Sequence, residues 1–108
     1  MEIKQYGVYW VDLNPTKGAE INKVRPCVVI SPPEMNLHLQ TIIIAPVTNR
    51  GRDGYPTRIS LTQNIISGWI VLDQIRAIDK NRLRNKIASL NDNDIAAIKA
   101  ILQEMLVD

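Results

Sequence analysis

The chain has 108 residues, 45% of them hydrophobic, with a formal net charge of +2 and one cysteine. These values place it among compact globular chains and exclude low-complexity, collagen-like and disulfide-stapled architectures. The last 17 residues carry Lys99 against Asp92, Asp94, Glu104 and Asp108, a net of −3, which leaves +5 on residues 1–91. A basic body ahead of an acidic tail suits an anionic partner, although a solvated surface would look the same from charge alone.

Taken in chain order, Gly7–Leu13 (GVYWVDL) predicts a strand that ends at the turn pair Asn14-Pro15. Residues 14–24 form a polar loop, long for so small a chain. Pro26–Ser31 predicts a second strand, apolar on both faces through Cys27, Val28, Val29 and Ile30 and therefore central. Cys27 reads as a small core residue. Residues 34–39 predict one helical turn, with His38, the lone histidine, on its surface. Residues 41–47 (TIIIAPV) predict a third strand, 48–56 (TNRGRDGYP) a second polar loop, and 58–61 a short fourth strand. Residues 68–74 (GWIVLDQ) predict a fifth strand, which 75–79 continue past a bend.

The tail changes period. Ile95, Ile98, Ile101, Leu102, Met105 and Leu106 recur in steps of three and four, which puts them on one helical face. Asn91 supplies an N-cap, and Asp92 and Asp94 complement the positive start of the helix. Five to six antiparallel strands and one C-terminal helix predict a small, partly open barrel, organised as a single domain over residues 1–108. No charged leader precedes an apolar segment, and no apolar run is long enough for a bilayer. A cytoplasmic protein without membrane association is expected.

Most catalytic constellations are missing. A single histidine excludes a two-histidine mechanism within one chain. There is no CxxC, HExxH, Gly-rich phosphate loop or carboxylate group at metal-ligand spacing, so neither metal nor cofactor is expected. Chemistry must come from Arg, Thr, Ser, Glu, Asp or Gln. One reaction suits that set. RNA carries its own nucleophile, the 2′-hydroxyl. A catalyst need only align the phosphate, neutralise charge in the transition state and manage two protons. Arginine matches phosphate with two parallel N–H donors.

Several stretches resemble the MazF/PemK (Kid-like) toxin family. Gly7-Val8-Tyr9-Trp10-Val11-Asp12-Leu13-Asn14-Pro15 resembles its first strand. Gly18-Ala19-Glu20, followed by Arg25-Pro26-Cys27-Val28-Val29-Ile30-Ser31, resembles its "G-x-E…R-P-hydrophobic" element. Ala45-Pro46-Val47-Thr48 and Asp73-Gln74-Ile75-Arg76-Ala77-Ile78-Asp79 resemble two further segments, and Leu83–Leu106 its closing strand and helix. These pieces occur in order with similar spacing.

The resemblance implies an SH3-like, PemK-type barrel acting as a homodimer. It also implies sequence-specific, metal-independent cleavage of single-stranded RNA, giving 2′,3′-cyclic phosphate and 5′-hydroxyl ends. The implied partners are RNA and a cognate antitoxin, with DNA reached only through the antitoxin. By the same resemblance Arg25, Thr48 and Glu20 are the catalytic candidates. Arg25 would bind phosphate, or alternatively pair with Glu20. Thr48 would donate to the scissile phosphate, or alternatively satisfy the strand end. Glu20 would accept the 2′-hydroxyl proton or orient Arg25. The RNA-binding candidates are Lys17, Asn49, Arg50, Arg52, Tyr55, Asp73, Gln74 and Arg76; strand alternation would set Gln74 and Arg76 on the face opposite Asp73, an arrangement that a bend would change. Some members give Asp73's counterpart a catalytic role beside an arginine two positions earlier. Val71 stands there in this chain, which favours the Arg25/Thr48 site. A gyrase-inhibiting toxin of the same fold is disfavoured because the chain ends Met105-Leu106-Val107-Asp108 rather than on an aromatic residue. A non-catalytic RNA-binding module is the remaining alternative.

Overall fold

The computed structural model describes residues 2–13, 23–49, 57–62 and 66–107. Among these, β1 (Gly7–Asp12), β2 (Val24–Val29), the short helix α1 (Pro33–His38), β3 (Thr41–Thr48), β4 (Arg58–Thr62), β5 (Ser67–Val71), β6 (Arg76–Asp79), β7 (Leu83–Ser89) and helix α2 (Asp92–Leu106) follow in order. All strand pairs are antiparallel, and the path β4-β5-β3-β2-β1-β7 leaves β4 and β7 as unjoined ends. The first half of β3 pairs with β6 on the edge away from β2, and its last two residues pair with β5.

The sheet therefore matches the expected partly open, mainly β architecture with a C-terminal helix, but with seven strands instead of five or six. Two features account for the difference. A 3-10 turn at Leu72–Gln74 divides the expected fifth strand and its continuation into β5 and β6. β7 is the closing strand that the resemblance implies; its own residues carry no strand signal, because Arg84, Asn85 and Lys86 are exposed in succession and the period-2 alternation of a half-buried strand is absent.

Alternation along the strands fills both faces of the sheet. Val8, Val28, Ala45, Val47, Leu61, Ile70 and Leu72 pack on one side with Ile98 of α2. Tyr9, Val11, Cys27, Val29, Ile42, Ile44 and Ile78 fill the other. The helix meets the first core as its spacing predicts, with Ile98 fully buried and Ile95, Ile101, Leu102 and Met105 against it. Leu106 departs from the expected stripe, being 64% exposed. A buried polar knot fixes α1: Asn36 Nδ2 donates to the Ser31 carbonyl at 2.9 Å, and the Ile43 amide donates to Ser31 Oγ at 3.0 Å.

Asn91 Oδ1 accepts from the Asp94 amide at 2.8 Å, the N-cap the sequence predicts. Removing such a cap costs about 1 kcal/mol. Asn91→Ala should therefore lower the melting temperature by roughly 4 °C, measured by circular dichroism, with the fold retained.

Candidate active site

β2 begins two residues earlier than its apolar run suggests. Arg25 is thus the second residue of a strand rather than the last residue of a loop, and it lies opposite Val11 of β1. Alternation puts it on the face of Cys27 and Val29, the side of the second core, where it is half-buried. Thr48 closes β3 and is 7% exposed. The β2–β3 pairing ends with Cys27 facing Pro46, and alternation two residues on from each puts Arg25 and Thr48 on one face. Arg76, opposite Ile44 at the start of β6, shares that face.

The guanidinium charges converge on the second core. Burial pushes the Cys27 thiol up to about 12, and the positive charges of Arg76 and then Arg25 pull in the opposite direction. Both cations therefore act on one buried sulfur, from β6 and from β2. The folded state holds the thiol proton more tightly than the unfolded chain. Stability linked to Cys27 is thus complete below the ordinary thiol value of 9.0 and falls as pH rises from there towards 12. A thiol held protonated is no nucleophile at neutral pH, in line with its reading as core.

The end of β1 anchors the basic groups. Arg76 Nη1 donates to the Leu13 carbonyl at 3.4 Å and Arg82 Nη1 to the Asp12 carbonyl at 3.2 Å, while the Leu13 amide donates to the Lys23 carbonyl at 3.1 Å. Lys23, with φ of 70°, makes the left-handed step into β2. Arg25, Thr48 and Arg76 are thus brought to one end of one sheet face, with Arg82 rooted beside them. Arg82 is a residue that the sequence alone does not single out. Only the contact with β1, 70 residues earlier, places it.

The remaining candidates divide. Gln74 is half-buried at the end of the 3-10 turn, and Asn49 is exposed just beyond β3. The alternation expected for 73–76 fails because that turn interrupts the strand. Asp73 instead turns to β4: its Oδ1 accepts from Thr57 Oγ1 at 3.0 Å and from Arg58 Nε at 3.5 Å. Glu20, Lys17, Arg50, Arg52 and Tyr55 lie outside the described residues. No group of three or more His, Cys, Asp or Glu with metal-holding geometry occurs among the described residues. Asp79, with its carboxyl lowered chiefly by the Asn81 amide and then by Gln40, caps the turn after β6.

Gly68 is a supporting residue that the sequence reading did not single out. Its φ is +146°, and a Cβ there would fall 2.6 Å from the Thr48 carbonyl oxygen. A glycine inside a strand pattern signals such close backbone approach, and this was the available clue. Gly68→Ala should displace Thr48, cost about 1–3 kcal/mol in denaturant unfolding, and lower activity more than its stability loss alone explains.

Three comparisons bear on this geometry. The model of the PemK-like, MazF-like toxins of type II toxin–antitoxin systems matches residues 4–106. An endoribonuclease MazF from Staphylococcus saprophyticus is 33% identical across 84% of this chain and 80% of its own length. The crystal structure of MazF from Deinococcus radiodurans superposes with a TM-score of 0.87 at 26% identity, covering 98% of this chain and 97% of that one. A MazE–MazF structure from the same organism gives 0.81 at 26% identity, covering 98% and 96%. With a match over nearly its whole length, the chain belongs to the PemK-like, MazF-like toxin family of type II toxin–antitoxin systems.

Proposed function

We infer that this chain, as a single toxin domain over residues 1–108, is an endoribonuclease that cleaves single-stranded RNA at short sequences without a metal. The observation that carries the reading is the placement of Arg25 in β2 and Thr48 at the end of β3 on one sheet face, with Arg76 on the same face. The endoribonuclease MazF relative at 33% identity supports the activity.

The reaction follows from those groups. The 2′-oxygen attacks the adjacent phosphorus and loses its proton, the bond from phosphorus to the 5′-oxygen breaks, and the leaving 5′-oxygen gains a proton. The products are a 2′,3′-cyclic phosphate and a 5′-hydroxyl. Arg25 binds the phosphate oxygens in a paired geometry and stabilises the charge that builds on them. Its pKa makes it a poor proton donor, so charge stabilisation is its main role. The Thr48 hydroxyl donates to the same phosphate. Glu20 and Asp73 are the two carboxylates available to receive the 2′-hydroxyl proton. Arg76, Gln74, Asn49, Lys17, Arg50, Arg52 and Tyr55 hold the flanking nucleotides by charge, hydrogen bonds and stacking.

The functional unit is a homodimer, silenced by a cognate antitoxin protein that covers the RNA groove and supplies any contact with DNA. The MazE–MazF structure of a neighbour supports a protein antitoxin. Among the described residues no helix is long and apolar enough to cross a membrane, and the protein acts in the cytoplasm.

Arg25→Ala should lower RNA cleavage by at least about a hundredfold, since loss of one transition-state donor costs about 3–4 kcal/mol. Its melting temperature should change little, because the side chain is only half-buried. Cleavage by the unaltered protein should persist in EDTA. Normal cleavage by Arg25→Ala would refute the site, and loss in EDTA that magnesium restores would refute the metal-free mechanism.

A further inference from the structure

Asp73 is the middle residue of the 3-10 turn Leu72–Gln74, and family resemblance leaves its role open between RNA contact and general base. Its surroundings are specific. One carboxylate oxygen, Oδ1, accepts from both Thr57 and Arg58, the residues that lead into β4. The Leu72 amide, immediately before Asp73, donates to the Thr57 carbonyl at 3.0 Å. Three bonds therefore tie the 3-10 turn to the start of β4. Arg58 faces Val71 across the β4–β5 pair. The arginine beside Asp73 thus comes from the neighbouring strand and not from two positions earlier in the chain.

Position decides what this cluster can do. Arg58 is on β4, Trp69 on β5, Thr48 on β3 and Arg25 on β2, in that spatial order. Three strand spacings separate β4 from β2, roughly 14 Å across the sheet, and Arg58, opposite Val71, stands two residues along β4 from Ser60, the residue in line with Trp69 and Thr48. The clip thus stands at the flank of the Arg25/Thr48 site. It fixes two things there: the turn that presents Gln74, and Thr57, where the chain re-enters the sheet after the segment containing Arg50, Arg52 and Tyr55. The other end of that connection is fixed by Thr48, paired with Trp69 of β5.

We propose that Asp73 is a positioning residue for RNA binding, clipping the 3-10 turn to Thr57 and Arg58, and not the base of the cleavage step. The proposal rests on the ribonuclease reading above. It leaves Glu20 as the carboxylate available to the 2′-hydroxyl, and it makes Thr57 and Arg58 part of the binding apparatus through Asp73. Asparagine keeps an acceptor oxygen at the same place and so preserves the clip, whereas alanine removes it. A base would tolerate neither.

The test is steady-state cleavage of a short fluorogenic oligonucleotide containing a cut site first mapped on a long mixed-sequence RNA. Asp73→Ala and Thr57→Val should each raise KM about five- to tenfold with kcat within threefold. The double variant should be no worse than Asp73→Ala, because the bond lost in Thr57→Val is already lost in Asp73→Ala. Asp73→Asn should restore KM to within threefold, with an unchanged pH–rate profile. Circular dichroism melts of each variant show that the folded protein is being assayed. A hundredfold or greater loss of kcat in folded Asp73→Asn, or loss of the acidic limb of its pH profile, would overturn the proposal and make Asp73 the base. An unchanged KM in Asp73→Ala would overturn it too. Failure of the unaltered protein to cut any RNA would instead defeat the ribonuclease reading on which the proposal rests.

Discussion

The register of β2 between β1 and β3 is the constraint on which the rest of the molecule depends. Val28 points into the core shared with α2, while Cys27 and Val29 point into the opposite core. All three are fully buried, so neither face tolerates a polar replacement. A slip of one residue would exchange the faces and drive Arg25 towards the helix side. Hydrophobic burial on two faces thus determines where a cation two residues from Cys27 must emerge. The common face of Arg25 and Thr48 follows from the same register.

That arrangement also sets the electrostatics. Arg76 donates to a backbone carbonyl of Leu13, a contact that orients the guanidinium and leaves its full positive charge. Arg25 acts on the same buried sulfur as Arg76. Cations held in place beside an apolar interior are less screened than cations in water, so a phosphate that reaches them is strongly favoured. Fixing the donors before the substrate arrives avoids reorganisation in the transition state.

Much of this was legible in the sequence because it is local. The 3.6-residue period and the Asn91 cap marked α2, and the apolar run from Cys27 marked a central strand. Arg25 and Thr48 stood out only through family resemblance. Their common face is a property of register between strands and carries no local signal. The bend expected after residue 74 falls earlier, as the 3-10 turn at Leu72–Gln74, and its position was not legible for the same reason. Its sequence continues a strand-like pattern, and the bonds that break it run to Thr57 and Arg58. Gly68 and Arg82 belong to this class as well, since what each touches, Thr48 and Asp12, lies far along the chain.

The central claim is that RNA supplies the nucleophile and that arginine and threonine suffice to guide it. End-group analysis of the cut products tests this most directly. Purified protein should be incubated with long mixed-sequence RNA, and both new ends of each fragment identified. Discrete cuts leaving 2′,3′-cyclic phosphate and 5′-hydroxyl ends are the predicted result. Fragments with 5′-phosphate and 3′-hydroxyl ends would show attack by water in place of the 2′-oxygen and would contradict the account.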